Sequence, residues 1–478
     1  MHRWTAIFFI LILSAAAGSA SAGGFATGRY AGEHGHVATD HPTAIYFNPA
    51  GLALGLGWRI YAEGIVAWRT LDYDRSEGAI SNVVEEEGAQ GTPAGDVAVN
   101  SGKSSLSDII ASPFLGVVTD LGVPNLGLGV AFYVPFGGQS KWDKNDDFVD
   151  NQMYPGAEDG TQRWHVIEGE LRSLYGTLAA AYRFPGPRIS VGAGFSVIQS
   201  NVYTVRARTT QGTDDVVSAS GDIAEGRSLI DVSGTHLGAS AGVNWEPMPG
   251  MWIAASYTSQ PGFGNSTQSG TLTNKFGAGS TDPNDIRFEQ ELPDIVRLGV
   301  RYRATPELEL RLSGDYQRWS VLQHQCLLDS EVDPNARCKL TDNGDYGEGQ
   351  DPTEIIVNIP RQWDDTFGVR GGASYWILPE LEVNGGVNYD SSAVPDRTID
   401  PSLLDQNKLI ALAGVVWAAM PDSLLVNFTV NNVFYFKRTV GPRDDDEIGA
   451  IAPSTVPDGA GTYKQNVLFF NLGAEYRF

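Results

Sequence analysis

Hydrophobic and polar residues alternate with a period of two along most of this chain. From Glu307 to Gln317, Leu308, Leu310, Leu312, Gly314 and Tyr316 share one face, and Glu309, Arg311, Ser313 and Asp315 share the other. Val296, Leu298, Val300 and Tyr302 oppose Arg297, Arg301 and Arg303 in the same way, and Leu381, Val383, Val387 and Tyr389 oppose Glu382, Asn384, Asn388 and Asp390. Successive side chains of a strand point to opposite faces, so the pattern predicts strands with one apolar and one polar side. A soluble sandwich would alternate too, and the decision rests on the connections.

About fourteen strands are predicted, near 58–71, 108–120, 125–138, 163–184, 187–208, 229–247, 251–263, 286–303, 306–323, 360–377, 380–391, 407–420, 423–436 and 463–478. Their links alternate between short and long. Tight turns fall at Gly122-Val123-Pro124, Pro185-Gly186-Pro187, Pro247–Gly250, Thr305-Pro306, Leu378-Pro379 and Pro421-Asp422. Long polar stretches lie near 72–107, 139–162, 209–228, 264–285, 324–359, 392–406 and 437–462. Short turns at one end and long loops at the other mark a bacterial outer-membrane barrel. Lipid offers the backbone no hydrogen bonds, so a spanning sheet must close on itself. A sandwich has no reason to sort its loops by length. The last strand alternates Leu468, Phe470, Leu472, Ala474 and Tyr476 and ends on the aromatic Phe478. The expected fold is all-β, a closed antiparallel transmembrane barrel.

The start of the chain agrees. Met1–Arg3 carry a positive charge, Thr5–Leu13 are largely apolar, and Ala20-Ser21-Ala22 is a small-residue cleavage signal, so residues 1–22 read as a secretory signal peptide. That apolar run is far shorter than the roughly 20 residues of a spanning helix, and no later run reaches that length. The net charge of −24 excludes nucleic acid, which needs basic patches. Acids gather in polar stretches such as Glu85–Glu87 and Asp444–Glu447. They suit a solvated surface, or divalent-cation bridging beside lipopolysaccharide. Cys326 and Cys338, in one polar stretch of an exported chain, read as a loop disulfide rather than metal ligands.

Between the signal and the first strand, Gly23–Gly57 do not alternate. The predicted interior faces carry small residues: Gly127, Gly129 and Ala131, then Ser190, Gly192, Gly194 and Ser196, then Gly238, Ser240 and Gly242. Glycine within a strand often marks close approach by another backbone, so the lumen has room for this N-terminal segment. In 407–420 the inner face holds Ile410, Leu412 and Val416, where a water-filled porin would be polar. Apolar cargo and packing against the segment explain this equally well.

The segment contains His41-Pro42-Thr43-Ala44-Ile45-Tyr46-Phe47-Asn48-Pro49-Ala50-Gly51-Leu52-Ala53. Here the sequence resembles the FadL family, the long-chain fatty acid and hydrocarbon transporters of Gram-negative outer membranes. Asn48-Pro49-Ala50 followed by Gly51-Leu52-Ala53 carry the resemblance, with a second patch at Asp390–Arg397 and Ile399 similar to the family's late extracellular loop. The resemblance implies a barrel over 58–478 closed by a hatch at 23–57. It further implies a kink in the third strand that opens the wall sideways, so that apolar ligand leaves into the bilayer. Asn48, Pro49, Ala50 and Gly51 would then sit in the hatch beside that opening, with Phe25 of the mature terminus also on the ligand passage. The third strand ends Val134-Pro135-Phe136-Gly137-Gly138. Proline cannot donate to a ladder, so Pro135 with Gly137 and Gly138 gives a local cause for a bulge or break, or else marks an ordinary strand end.

Enzyme-like patterns fail on context. Gly238-Ala239-Ser240-Ala241-Gly242 fits a lipase elbow, but that elbow needs a strand-to-helix turn and this run alternates as a strand. Gly102-Lys103-Ser104 lacks the first glycine of a phosphate loop, with Val97 in its place. His34, His36 and His41 lie in a Gly-rich stretch without nearby cysteine. No catalytic residues, metal or cofactor are expected. The expected function is passive transport of long-chain fatty acids or other hydrophobic small molecules across a Gram-negative outer membrane. The protein would be a monomer, inserted by the barrel assembly machinery among lipid and lipopolysaccharide. A nonspecific porin or structural barrel, and an outer-membrane lipase, are the alternatives.

Overall fold

The computed structural model describes residues 29–80, 94–209, 214, 216, 222–276, 283–332, 337–341, 346–443 and 457–478; residues 1–22, Phe25, Glu85–Glu87 and Asp444–Glu447 lie outside them. Fourteen antiparallel strands close into one barrel. They are β1 Arg59–Arg75, β2 Gly102–Thr119, β3 Leu126–Lys141, β4 Glu168–Phe184, β5 Ile189–Arg208 and β6 Gly226–Met248. Next come β7 (Met251–Thr258 and Thr267–Lys275), β8 (Asn284–Glu289 and Ile295–Arg303), β9 (Leu308–Gln317 and His324–Asp329) and β10 (Ile355–Pro360 and Thr366–Leu378). The last are β11 Leu381–Asp390, β12 Lys408–Met420, β13 (Leu424–Tyr435 and Arg438–Val440) and β14 Gly461–Arg477. β1 and β14 close the ring, from Arg59 opposite Arg477 to Arg75 opposite Gly461. Several strands run farther outward than the alternation predicts: β2 already begins at Gly102. Above the lipid both faces are polar, so alternation vanishes while the ladder continues.

Register puts the apolar face outside. Leu310, Leu312 and Tyr316 are exposed on the surface, and Glu309 and Arg311 are buried within. Trp58, Tyr182, Trp245, Tyr375, Trp417 and Tyr476 stand exposed near the short turns, and Trp68, Tyr257, Tyr316, Phe367 and Phe434 near the opposite edge. Such paired aromatic girdles mark the two interfaces of a membrane.

Four neighbouring strands break at one level. β7 is interrupted after Thr258, β8 after Glu289, β9 after Gln317 and β10 after Pro360; sequence alone predicts one continuous strand across the break in β8 and long loops where the outer pieces of β7, β9 and β10 lie. Pro261, Pro293 and Pro360 fall in or beside these breaks, and Phe263 and Gln362 take left-handed φ values of 55° and 45°. The outer pieces still pair with one another, Thr267 with Glu289, Glu289 with Cys326, and His324 with Pro360. Trp319 and Trp363 in the breaks are buried, and the Trp319 ring lies 6.2 Å from that of Phe136 in β3. Cys326 belongs to the outer piece of β9, so its disulfide to Cys338 ties a strand to the following loop, not two loop positions as expected.

The N-terminal segment from residue 29 to Gly57 lies inside the barrel. Its polar contacts reach strands all round the ring: Glu63 of β1, Val134 of β3, Val243 of β6, Ser256 of β7, Arg301 of β8, Glu382 and Asn388 of β11, and Asn471 of β14. No outside position touches all of these. Glycine makes the fit possible. A methyl group on Gly192 would overlap the Pro49–Ala50 backbone, and one on Gly127 the Leu52–Ala53 backbone.

Candidate functional site

Asn48 organises the inner segment. It caps a 3₁₀ turn, Pro49–Leu54, with its Oδ1 accepting from the Ala50 N–H at 3.1 Å and proline at the first position. Its Nδ2 donates to the Val37 carbonyl at 2.9 Å and to the Val243 carbonyl of β6 at 3.1 Å. An asparagine fully removed from water needs such partners, and here both ends of the amide have them. Gly51 donates back to the Asn48 carbonyl at 3.0 Å. The turn spans several strands of the wall, and its Leu52–Ala53 end presses on Gly127 of β3. Asn48, Pro49 and Ala50 rest on β5 and β6, because the inward glycines there let the backbone approach closely, and Ala50 is completely buried.

At β3 the ladder to β2 ends midway, while the strand itself continues. β2 and β3 pair only from Thr119–Leu128 to Phe114–Tyr133. Above that point β3 continues to Lys141 against β4, and β2 continues against β1. The register of β3 on β4 shifts between Tyr133 and Phe136, placing Val134 and Pro135 opposite a single residue. Pro135 thus sits in a bulge that turns β3 away from β2. A Cβ on Gly138 would meet nothing, so open space lies beside it. The gap is bridged at its outer end, where the Asp143 N–H donates to the Ser105 carbonyl at 2.9 Å and the Lys141 N–H to the Asp108 carboxylate at 3.0 Å.

Among the described residues, two cavities lie along the lumen outward of a third, charged one that is lined by His34, His41, Arg59, Glu382 and Glu475. The outer one, about 1000 Å³, touches Gly138, Gln139 and Ser140 on β3 and is lined with Leu171, Val202, Ile230, Phe288, Ile359 and Leu404. The inner one, about 720 Å³, holds Tyr46, Phe47, Ile295, Ile410, Val433 and Phe469 together with Arg29, Arg297 and Arg370. Trp319, which follows Gln317 of the inner cavity and precedes Gln325 of the outer one in sequence, packs 5.0 Å from Trp363 and 6.2 Å from Phe136. The mixed lining suits an apolar molecule with a small polar end.

Buried charge pairs tie the described parts of the outer loops together. Arg75 and Asp214 pair at 2.5 Å, both out of solvent, and Arg163 holds Glu225, the Val99 carbonyl and Asn100. Burial alone would raise the Asp400 carboxyl, but Arg361 at 2.6 Å outweighs it and holds the group at about 2. Burial holds the nearby His165 at about 3, so it is neutral at physiological pH. His34 lies 2.9 Å from Glu382 and His41 3.6 Å from Glu475, while His36 accepts from the Ala38 N–H. Among the described residues no group of His, Cys, Asp and Glu is arranged to hold a metal ion. Phe25 lies outside the described residues.

Sequence reasoning missed Tyr30, Trp319 and Trp363. Prolines inside three stretches taken for single strands were the available signal for the tryptophans. Nothing local marks Tyr30, whose role depends on long-range contacts.

No curated protein sequence matches the chain significantly. Solved structures do, at low identity. A Pseudomonas aeruginosa FadL homologue superposes with a TM-score of 0.72 at 16% identity, covering 96% of this chain and 100% of its own. The Pseudomonas putida toluene transporter TodX gives 0.61 at 14%, covering 91% and 94%. The Ralstonia pickettii toluene transporter TbuX gives 0.59 at 14%, covering 97% of both. A family model described as outer membrane protein transport protein (OMPP1/FadL/TodX) matches residues 13–478, and the chain belongs to that family of Gram-negative outer-membrane barrels.

Proposed function

We propose that the protein passively conducts hydrophobic small molecules inward, and releases them sideways into the membrane through the gap between β2 and β3. Residues 1–22 serve as the export signal and residues 23–57 as the plug. The observation that carries this reading is that the outer cavity reaches Gly138–Ser140, on the very stretch of β3 that β2 leaves unpaired. Cargo held there sits at the wall rather than above the periplasmic mouth. Affinity comes from burying the apolar chain, on the order of 0.8 kcal/mol per CH₂. Long-chain fatty acids and monoaromatic hydrocarbons both fit the lining. Named relatives include a FadL homologue and toluene transporters.

A nonspecific porin is disfavoured, since the plug crosses the lumen. The experiment replaces Pro135, Gly137 and Gly138 with Thr, Val and Val and measures fatty-acid and sugar uptake into proteoliposomes at matched protein levels. Restored pairing should abolish fatty-acid uptake, with sugar excluded throughout. Normal uptake by the repaired wall would send the cargo through the plug instead.

A further inference from the structure

Tyr30 stands where the β2–β3 ladder ends. Its hydroxyl donates to the Val134 carbonyl at 2.5 Å and accepts from the Val134 N–H at 2.9 Å. Val134 is the first residue of β3 beyond the last pair with β2, Phe114–Tyr133. One phenol thus serves both backbone groups of that residue, a task that needs a group able to donate and accept at once. Its ring, wholly buried, packs 5.0 Å from Phe114, 6.0 Å from Tyr133 and 5.5 Å from Tyr46. The flanking backbone is clamped. The Ala31 N–H donates to both Glu63 oxygens at 3.1 and 2.9 Å, and Asn471 donates to the Arg29 carbonyl at 2.7 Å.

We infer that Tyr30 is the latch of the lateral opening: a plug residue that stands in for β2 at Val134 and keeps the foot of the gap shut until cargo displaces it. The inference rests on the lateral-release reading and adds to it the residue that gates release. A latch on the plug also couples the two moving parts, since the segment cannot shift without freeing the bulge in β3.

The test compares wild type, Tyr30→Phe and Tyr30→Ala, each with the native wall and with the repaired wall (Pro135, Gly137 and Gly138 replaced). Proteoliposome uptake of a fluorescent long-chain fatty acid and of a small sugar is measured at matched folded-barrel levels. Tyr30→Phe keeps the ring and loses only the hydroxyl. With the native wall it should raise fatty-acid uptake several-fold without admitting sugar, Tyr30→Ala should raise it further, and neither should act once the wall is repaired. Unchanged fatty-acid uptake in Tyr30→Phe, while wall repair still abolishes transport, overturns the latch and leaves lateral release standing. A parallel rise in sugar leak overturns it as well, by making Tyr30 a plain support of the plug. Normal uptake through the repaired wall removes lateral release, and the latch with it.

Discussion

Ala50 shows how little slack surrounds the plug. Its side chain is fully buried and its backbone presses on Gly192. Read from the motif alone, a small residue there suggests space left for cargo, and a Trp would be expected to block it. The packing reverses the sign. Ala50→Trp should push the turn off β5 and admit sugar to vesicles that wild type keeps sealed; unchanged sugar exclusion would refute this. Leu472 tests the outer face. It is 60% exposed on β14 and lies midway between the two aromatic girdles, so Leu472→Arg should cost about 2–4 kcal/mol, read as a lower urea midpoint in vesicles. At the cap, Asp400 titrates near 2 in the fold, below the usual aspartate value near 4. A depressed carboxyl contributes stability above its unfolded pKa and loses it as pH falls through about 2, so the cap should resist protease equally at pH 8 and pH 5. Asp400→Asn strips buried Arg361 of its charge partner, at a cost of about 3–5 kcal/mol, and should expose the cap to trypsin at both pH values.

Among the elements, legibility followed periodicity. Continuous strands such as β11 and β12 were readable because lipid imposes a strict alternation on one face. The interrupted strands β7–β10 were not: in β8 a five-residue bend leaves the pattern on either side undisturbed, and the outer pieces of β7, β9 and β10 read as loops because their residues do not alternate. The anomaly in β3 was readable through Pro135 as a bulge or break, but not told apart from an ordinary strand end, because the two share the same residues. The sense of the opening depends on where β2 stops pairing, which no local sequence encodes. Asn48 was likewise visible as a motif, whereas its seat on β6 depends on glycines some two hundred residues away.

At the scale of the whole molecule, the barrel holds buried ionic groups in abundance while its outer surface is apolar. Charge therefore belongs to the cap, plug and lumen, where the buried pairs Arg75–Asp214 and Arg361–Asp400 join separate segments of the chain. Removing one partner is costly, which makes these pairs markers of a single assembled state. The clamp on the plug has a consequence for biogenesis. Glu63 lies on the first strand and Asn471 on the last, and the two are bonded at 3.1 Å across the seam that completes the ring. The plug is synthesised before any strand, yet the Glu63–Asn471 part of its anchorage exists only after the final strand has joined the first. Clamping of the Arg29–Ala31 end is thus a readout of seam closure: a nascent barrel still open at β14 can hold its stopper against other strands but cannot lock that end, so the lock is set as the ring is completed.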